Sequence, residues 1–479
     1  MQQFSHIFSF GSSLYFSRKV QYNSPRKTER TGVCRLQGAH TMKYAFYTLG
    51  CKVNQYETQA MEQWLTAAGH TVGSFEEPCD CYIINTCTVT AVADKKNRNV
   101  IRRCRKLNPA AILGVCGCYA QLKPEEVAGL GVDVVAGSAG REDFLRMMDE
   151  AARTRQKQIR VDDALRRHSF ELLPAGGLLG RTRAMLKVQD GCCNFCSYCI
   201  IPFARGPVRS LPLADAVAQA KALAQEGYRE IVITGIEIAS WGAEWHDGST
   251  LGDLLQAILA AIPETRVRLG SLEPRIIDEA LCRRLQGFSN LCPQFHLSLQ
   301  SGCDTVLQRM NRRYDTARYL ESVRLLRQYF PGCAITTDLI VAFPGETEEE
   351  FAKTLTFLQT CDFAAMHIFP YSRRPGTKAD AMPGQHSNAV KQARAAQAGA
   401  VADAMTRRYL EGLIGSTQAV LFEEDQDGCA TGHAPNAVRV YLPTGGLHNE
   451  IRPVRITALF RDGLLAEAPD LPLFPAAKP

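Results

Sequence analysis

Three cysteines lie within eight residues of one another: Cys192, Cys196 and Cys199, in the spacing Cys-x3-Cys-x2-Cys. Soft thiolate ligands select iron–sulfur clusters or zinc. A four-iron cube usually takes four cysteines, so three would leave one iron open to a substrate or cofactor. Such a site would be reactive rather than structural. Cys193 also lies in this run, and the spacing alone does not decide between Cys192 and Cys193.

A structural zinc site, or a set of buried free cysteines, is the alternative. Structural zinc sites usually show two separated Cys-x2-Cys pairs, or one pair followed by histidines. No second pair follows this run at such a distance. The spacing therefore favours a cluster, and a zinc-containing RNA-binding protein remains the non-enzymatic alternative.

The composition predicts a soluble protein of several domains. The 479 residues are 46% hydrophobic and 22% charged, as in ordinary globular chains. No apolar run reaches membrane-spanning length, so we expect no transmembrane helix and no membrane partner. Eighteen cysteines scattered along so long a chain suit a reducing compartment better than a disulfide scaffold. We therefore expect a cytoplasmic protein.

The net charge of +6 comes almost entirely from residues 1–41, which hold six basic residues and one acidic residue. Bulk charge therefore gives no argument for nucleic-acid binding by the rest of the chain, and any basic patch must be local. The composition of residues 1–41 is that of a transit peptide or of an extension placed before a true start at Met42. We expect this segment to be disordered in either case.

Residues 42–160 form the first predicted domain, an open parallel α/β sheet. Three short apolar runs alternate with helical stretches and end in Cys51, Cys87 and the Cys116-Gly-Cys118 segment. Ligand sites of such sheets lie beyond the carboxyl ends of the strands, so three distant thiols can meet there. Spacing does not separate Cys116 from Cys118. Three other cysteines of this region lie at the wrong end of a strand or in a helix, namely Cys79, Cys81 and Cys104.

Residues 181–412 form the second predicted domain. Six strand-like runs alternate with helices, a pattern that predicts a partial parallel (βα)6 barrel. The cysteine loop follows the first strand, on the face where barrel active sites lie. Thr234, Gly235 and Glu273 lie at the ends of later strands and are candidates to line the same cavity.

Residues 413–467 contain short β-rich runs separated by Gly and Asp, which predict a small antiparallel β-barrel. Barrels of this kind often bind nucleic acid. Acidic residues offset the arginines here, so an RNA role would depend on a few arginines and on Tyr441 or Phe460 as a stacking ring. Residues 468–479 are rich in Pro and Ala and form a loose tail.

Together these motifs resemble the radical S-adenosylmethionine methylthiotransferases, over nearly all of residues 42–467. Three segments are similar to the cysteine motifs of the family's amino-terminal domain, and a fourth is similar to its radical motif. They are Gly50-Cys-Lys-Val-Asn-Gln-Tyr-Glu57, Asn85-Thr-Cys-Thr-Val-Thr90, Gly117-Cys-Tyr-Ala-Gln121 and Gln189-Asp-Gly-Cys192 with Cys196 and Cys199. The resemblance selects Cys118 over Cys116 and Cys192 over Cys193.

The resemblance implies two [4Fe-4S] clusters and S-adenosylmethionine as cofactors. Cys192, Cys196 and Cys199 would hold the radical cluster, and Cys51, Cys87 and Cys118 an auxiliary cluster. Thr234, Gly235 and Glu273 would contact S-adenosylmethionine. The β-barrel of residues 413–467 resembles a TRAM domain, the family's RNA-binding module.

Within the family, the sequence Lys-Val-Asn-Gln-Tyr-Glu after Cys51 is most similar to that of the branch that methylthiolates N6-threonylcarbamoyladenosine at position 37 of tRNA. That branch implies a tRNA anticodon loop and an electron donor as partners. Sister activities on isopentenyladenosine-37 or on a ribosomal-protein aspartate are the alternatives, and so is a radical enzyme whose second cluster only relays electrons. Two departures from the family pattern are visible: Cys193 replaces a polar residue, and Ala342 replaces a glycine.

Overall fold

The computed structural model describes residues 41–176 and 182–468. They fall into two compact units. The N-terminal unit comprises residues 41–176 and the segment Ile200–Pro207, and the C-terminal unit comprises residues 182–199 and 208–468. The predicted disordered extension and loose tail lie outside the described residues, apart from Thr41 and Ala468 at their borders. No helix in the described ranges is long and apolar enough to cross a membrane.

The N-terminal unit contains a six-stranded parallel sheet in the order β2-β1-β3-β4-β5-β6. Its strands are β1 (Lys43–Thr48), β2 (Thr71–Val72), β3 (Cys81–Thr86), β4 (Ile112–Gly117), β5 (Val134–Ala136) and β6 (Gln158–Arg160). Its helices are α1 (Lys52–Ala67), α2 (Ala91–Leu107), α3 (Cys118–Leu122), α4 (Pro124–Ala128), α5 (Arg141–Thr154) and α6 (Ile201–Arg205). The helix α6 follows the Cys192–Cys199 loop in the chain but packs with this unit.

The sheet is covered on both faces, because alternate residues of a strand point to opposite sides. Tyr82 and Ile84 of β3 pack with Ile101 and Cys104 of α2. Ile83, between them, packs into the second core, which contains residues of α1 and α5. Burial on both faces explains why these strands are continuous apolar runs.

The C-terminal unit begins with an open parallel half-barrel. Its main strands are β7 (Arg183–Lys187), β10 (Glu230–Thr234), β11 (Arg266–Leu269), β12 (Ser271–Leu272), β13 (Gln294–Leu297), β14 (Ala334–Val341) and β15 (Ala365–Pro370). One sheet has the order β11-β10-β7 and the other β12-β13-β14-β15, and only Gly270 separates β11 from β12 in the chain. A short hairpin of β8 (Gln189–Asp190) and β9 (Arg209–Ser210) follows β7. Six parallel runs therefore form the predicted partial barrel.

Helices separate the half-barrel strands, as the alternation of the sequence predicts. They are α7 (Leu213–Gln225), α8 (Leu251–Ala261), α9 (Glu279–Leu285), α10 (Asp304–Arg309), α11 (Thr316–Tyr329), α12 (Glu348–Cys361) and α13 (Asn388–Glu411). Side-chain caps mark several helix starts. Thr250 and Glu350 belong to two capping boxes, in α8 and α12 respectively, in which the orphan N–H groups of the first turn find acceptors.

The chain ends in a closed five-stranded barrel. Its strands are β16 (Thr417–Gln426), β17 (Cys429–His433), β18 (Arg439–Leu442), β19 (Ile451–Phe460) and β20 (Gly463–Glu467). The predicted small barrel is confirmed, with one difference: β18 and β20 pair in parallel, whereas the other pairs are antiparallel. Closure removes the free strand edges that an open sheet of this size would expose.

Two arginines of the half-barrel, Arg183 and Arg268, contact this barrel. Arg268 of β11 binds the Glu230 carboxylate through Nε at 2.7 Å and donates to the carbonyl oxygen of Pro435 at 3.0 Å. The Glu423 carboxylate contacts Arg183 at 2.5 Å and His433 at 2.7 Å. The positive charge of Arg268 holds the pKa of Glu230 down at about 2, against the burial that would raise it.

Candidate active site

Cys51, Cys87 and Cys118 lie at the carboxyl ends of three adjacent parallel strands. Cys51 precedes α1 and follows β1 by two residues, Cys87 follows β3 directly, and Cys118 follows β4 directly. The three strands are neighbours in the order β1-β3-β4. The helix α1 begins at Lys52, so Cys51 is the residue that precedes its first turn.

Two glycines allow the loops that carry these thiols to approach closely. Gly50 has φ +124°, and an added Cβ would lie 3.1 Å from the Cβ of Cys87. Gly117 has φ +97°, and an added Cβ would lie 2.5 Å from the carbonyl oxygen of Thr86. Residues with a Cβ rarely adopt such φ values. These glycines therefore bring the neighbours of Cys51 and Cys118 against the loop of Cys87.

The three thiols are close enough to influence one another electrostatically. Burial raises the pKa of Cys87 to about 12, and the charges of Cys118 and Cys51 act in the same direction. Burial also raises the pKa of Cys118, an effect that Arg205 opposes. Cys87 and Cys118 therefore stay protonated until a metal displaces the proton. The set therefore suits a metal–sulfur cluster better than a lone reactive nucleophile.

Cys116 lies in a different environment from Cys118. It packs in the core cluster that contains Tyr44, Phe144 and Met148. Burial raises its pKa to about 11. The other decoys, Cys79, Cys81 and Cys104, are also buried in the cores of the sheet. The structure therefore brings Cys118, and not Cys116, together with Cys51 and Cys87.

A buried charged network adjoins the Cys118 thiol. Arg205 of α6 donates from Nε to Cys118 Sγ at 3.3 Å, and its guanidinium also pairs with Glu57. Glu57 pairs on its other side with Arg141 at 2.7 Å. All three charged side chains are fully buried. The thiol set thus has a guanidinium beside it, which favours the negative charge of a thiolate or of a cluster.

Asn54 and Asn85 hold the thiol loops in place. Asn54 Nδ2 donates to the carbonyl oxygen of Leu49 at 2.8 Å and to that of Thr86 at 3.0 Å. Asn85 Nδ2 donates to the carbonyl oxygen of Asn54 at 2.9 Å. Both asparagines are buried. Neither asparagine, nor Arg205, is among the site residues predicted from the sequence, although Asn54 lies three residues after Cys51 and Asn85 two residues before Cys87.

Cys192, Cys196 and Cys199 lie in one loop after β8, within the C-terminal unit. All three are partly buried, whereas Cys193 is exposed. Burial raises the pKa of Cys192 to about 12, with contributions from the charges of Glu237, Cys199 and Cys196. Arg312 donates from Nη1 to Cys196 Sγ at 3.3 Å. Here too a guanidinium accompanies a set of three thiols.

The segment from Arg309 to Arg312 clamps this loop. The Ser197 N–H donates to the carbonyl oxygen of Met310 at 2.9 Å, and Asn311 Nδ2 donates to that of Phe195 at 3.0 Å. Phe195 has φ +46°, in the left-handed region, which costs about 1 to 2 kcal/mol for a side chain with a Cβ. The clamp therefore holds the loop in a conformation that it would not favour alone.

The three residues predicted to contact S-adenosylmethionine lie at strand ends of the half-barrel. Thr234 ends β10 and is buried, Gly235 follows it, and Glu273 accepts from the N–H and the Nε of Arg275. Glu237 lies closer to the cysteine loop, since Asn194 Nδ2 donates to it at 3.3 Å. Sequence reasoning missed Glu237, although an acid directly beyond a barrel strand is a signal.

Glu237 is the acid most perturbed by this environment. Burial raises its pKa to about 7, while the charge of Arg312 opposes the shift and that of Glu273 adds to it. A carboxyl group that titrates near neutrality can accept a hydrogen bond or donate one. Glu237 and Glu273 are thus suited to hold polar or cationic groups of a cofactor.

The described residues contain no set of three or more Cys, His, Asp or Glu side chains arranged around a single metal ion. In a four-iron cube each cysteine binds a different iron, so its ligands need not converge on one point. Each thiol set offers three soft donors with a cation beside it. The donor chemistry of both sets fits a [4Fe-4S] cluster with one iron left open.

The C-terminal barrel corrects one expectation about RNA contacts. Tyr441 is only 2% exposed, and its hydroxyl is held by Asp462, so it is not available to stack on a base. Phe460 packs edge-on against it and is partly exposed. Arg461 lies over the Phe460 ring at 5.1 Å. Of the two rings predicted from the sequence for stacking, Phe460 is the accessible one.

Two family models match parts of this chain. Residues 186–358 match the Radical SAM superfamily and residues 43–137 match "Uncharacterized protein family UPF0004". The tryptophan-bound structure of TsrM from Kitasatospora setae, described as a radical S-adenosylmethionine methyltransferase, superposes with TM-score 0.52 over 71% of this chain and 75% of that chain. At 17% identity this likeness shows the fold alone. The half-barrel with its cysteine loop is thus that of a radical S-adenosylmethionine protein.

Similar curated proteins assign the chain to a narrower class of radical S-adenosylmethionine protein. Proteins named threonylcarbamoyladenosine tRNA methylthiotransferase MtaB are similar over most of their length. The one from Bacillus subtilis is 38% identical, over 83% of this chain and 89% of the relative. The one from Aquifex aeolicus is 39% identical, over 74% and 86%, and the one from Thermotoga maritima 35%, over 88% and 96%. The chain belongs to the radical S-adenosylmethionine methylthiotransferase family, in its MtaB-like branch.

Proposed function

We propose that this chain is a tRNA-modifying enzyme that transfers a methylthio group to C2 of N6-threonylcarbamoyladenosine at position 37. Two sets of three thiols, one in each unit, support this reaction. The set of Cys51, Cys87 and Cys118 carries the proposal, because it offers a second cluster site that could hold the transferred sulfur. A second cluster that only relays electrons would leave no added sulfur in the product. The similarity to threonylcarbamoyladenosine tRNA methylthiotransferases favours threonylcarbamoyladenosine over the sister substrates.

Each thiol set would hold one [4Fe-4S] cluster: Cys192, Cys196 and Cys199 the first, and Cys51, Cys87 and Cys118 the second. When bound, the first cluster with S-adenosylmethionine supplies the radical chemistry that an unactivated C–H bond requires, and the second supplies the sulfur. Arg312 and Arg205 offset negative charge at the two thiol sets. A three-thiol set leaves one iron for the cofactor or for the sulfur that is transferred.

The residues around the radical loop would bind S-adenosylmethionine. Thr234, Gly235 and Glu273 lie at the strand ends of the half-barrel, and Glu237 adds a second carboxyl group. Carboxylates accept hydrogen bonds from hydroxyl and ammonium groups, and Arg312 adds a cation. These polar side chains would orient the cofactor, and the surrounding half-barrel would keep bulk water from the reactive centre.

The tRNA substrate would be recognised at its anticodon loop. Sequence-specific RNA recognition usually acts on bases splayed out of single-stranded loops, which an adenosine at position 37 provides. Phe460 with Arg461 on the closed barrel would stack against a neighbouring base. An electron donor is needed for each reaction cycle. We expect both partners in the cytoplasm.

Anaerobic reconstitution followed by nucleoside mass spectrometry on tRNA tests the proposal. The substrate should be tRNA from a strain that lacks this modification. We expect about eight irons per chain and the appearance of 2-methylthio-N6-threonylcarbamoyladenosine. A methylthio group on isopentenyladenosine, or on a ribosomal-protein aspartate, would assign the sister activity instead. Zinc in place of iron, with no cleavage of S-adenosylmethionine, would identify a non-catalytic RNA-binding protein.

A further inference from the structure

The helix α2 is the most basic element of the N-terminal unit. Its 17 residues contain seven lysines and arginines and one acid, Asp94, which is buried. Three of the cations are paired: Arg98 with Glu126, Arg103 with Glu76, and Arg105 with Asp133. The remaining cations are Lys95, Lys96, Arg102 and Lys106, all exposed. None of these four has an ion-pair partner among the residues that the structure describes.

Three of these cations form a straight row, which we call the α2 basic row: Lys95, Arg102 and Lys106. At 100° per residue they lie within about 40° of one another on the helix surface, and the exposed Asn99 lies between them. The row is opposite the buried face of α2, which includes Ile101 and Cys104. At about 1.5 Å per residue it is about 16 Å long. An aligned row of this length can follow several phosphates of one strand.

The other face of the sheet has a different charge pattern. The helix α5 carries Arg146 and Arg153, but each is paired with an acid four residues earlier, Glu142 and Asp149 respectively. Helices α2 and α5 pack on opposite faces of the sheet. The unpaired cations of α2 therefore contrast with the paired Arg146 and Arg153 of α5, and they concentrate positive charge on the α2 face. Such segregation creates a local attraction for polyanions even though the net charge of the chain is small.

The position of α2 relates this charge to the reaction. Thr90 caps α2, three residues after Cys87. The helix thus begins at the edge of the sheet where Cys51, Cys87 and Cys118 lie, and the basic row leads away from that edge. RNA held along the row would have one end at the thiol set.

We infer that the α2 basic row is a docking surface for the sugar–phosphate backbone of tRNA. The inference rests on the proposed function and adds to it where the substrate is held. Lysine and arginine side chains without protein partners can contact phosphates, and each contact releases a counterion. Such contacts position the RNA without reading its sequence. The row would thus add affinity and orientation, and the substrate base would be selected elsewhere.

The test replaces the row and follows tRNA binding against salt concentration. The variant K95Q/R102Q/K106Q removes three charges, and the control R146Q/R153Q/K157Q removes three exposed charges from α5 and the residues after it. Both are made in the reconstituted full chain. The probe is a fluorescently labelled tRNA that carries N6-threonylcarbamoyladenosine at position 37.

We expect the row variant to bind tRNA more weakly, with a plot of log affinity against log salt that is shallower by about 2 to 3. Its iron content and its cleavage of S-adenosylmethionine should equal those of the wild type, which separates lost docking from misfolding. The control should keep the wild-type slope.

An unchanged slope in the row variant, while the wild type still binds and methylthiolates tRNA, would overturn the inference and leave the proposed function intact. So would a row variant that keeps its tRNA affinity but loses affinity for an acidic electron-transfer protein, since the row would then serve a different partner. A wild-type chain that binds no tRNA would overturn the inference and the proposed function together.

Discussion

The two sets of three thiols are built in opposite ways. Cys192, Cys196 and Cys199 belong to one loop of eight residues, and that loop is clamped by the segment from Arg309 to Arg312. Cys51, Cys87 and Cys118 come from three loops, and only the order β1-β3-β4 brings them together. The first, local set requires only that one loop is held in place. The second, distributed set requires the whole parallel sheet to bring its three loops together. The second set should therefore be the more sensitive to substitutions far from its ligands.

The largest expected effect is at the local set. Replacing Cys192 by serine should remove about four of the eight irons and abolish cleavage of S-adenosylmethionine, and with it all product. Cys193 is the matched control, since it is adjacent in the chain but exposed. The C193S variant should keep its iron and its activity. Loss of S-adenosylmethionine cleavage in C193S, with C192S active, would reverse the assignment. The measurements are iron content and deoxyadenosine formation.

The second effect separates the two sets. The C118S variant should lose methylthiolation and about four irons but keep S-adenosylmethionine cleavage, because the other thiol set lies in a different unit. Cys116 is two residues away and packs in the apolar core, so C116S should keep both clusters. The measurements are iron content, deoxyadenosine formation and nucleoside mass spectrometry. If C116S lost the product and C118S did not, the distributed set would be wrongly assigned.

The third effect concerns the guanidinium beside the distributed set. The R205Q variant removes the hydrogen bond to Cys118 Sγ and a positive charge. We expect a more negative midpoint potential of the auxiliary cluster and a loss of about 10- to 100-fold in activity. Arg141 shares Glu57 with Arg205 but, within the described ranges, forms no hydrogen bond with a thiol of the set, so R141Q is the comparison. Redox titration followed by electron paramagnetic resonance is the measurement.

An equal shift of the potential in R205Q and R141Q would mean that the charge network acts as a whole, and that the bond to Cys118 has no separate role. The R205K variant should recover part of the potential, because it restores the charge without the planar group.

The fourth effect concerns the buried ion pair of Glu230 and Arg268, which lies outside both thiol sets. Glu230 has its pKa held at about 2 by Arg268, below an unfolded value of about 4.3. The pair therefore stabilises the fold at neutral pH, and this contribution is lost as the pH falls from about 4.3 to about 2. The E230Q variant should unfold more easily at pH 7 by about 3 to 5 kcal/mol, with a smaller deficit below pH 3. Urea unfolding of the metal-free chain against pH is the measurement; a deficit independent of pH would contradict it.

The smallest effect is at Ala342, a position where the family usually has glycine. Ala342 has φ +56° and is fully buried. Glycine would relieve strain of about 1 to 2 kcal/mol but lose about 0.8 kcal/mol of methyl burial and about 0.5 to 1 kcal/mol of chain entropy. The A342G variant should therefore change the free energy of unfolding by less than about 1 kcal/mol. A change above about 2 kcal/mol in urea unfolding would show that one of these contributions is misjudged.

Several features of the fold and site were predictable because they depend on local patterns. Apolar runs alternating with helical stretches indicated the parallel sheet and the partial barrel, and short β-rich runs separated by Gly and Asp indicated the small C-terminal barrel. The spacing of Cys192, Cys196 and Cys199 predicted one loop with three thiols. Local patterns suffice here because a strand buried on both faces must be continuously apolar, and a loop of eight residues keeps its cysteines close in any fold.

Tertiary structure alone decided the contacts between residues that are distant in the chain. Spacing left Cys116 and Cys118 equivalent, and the family resemblance selected Cys118 without a physical reason. The pleat of β4 and the turn at Gly117 place the two thiols in different environments. Arg205 follows the radical motif in the sequence, yet it packs beside Cys118. Tyr441 has an aromatic ring that could stack on a base, but closure of the barrel buries it. Residue types show which chemistry is available, but which side chains share a site depends on how the sheet and barrel close.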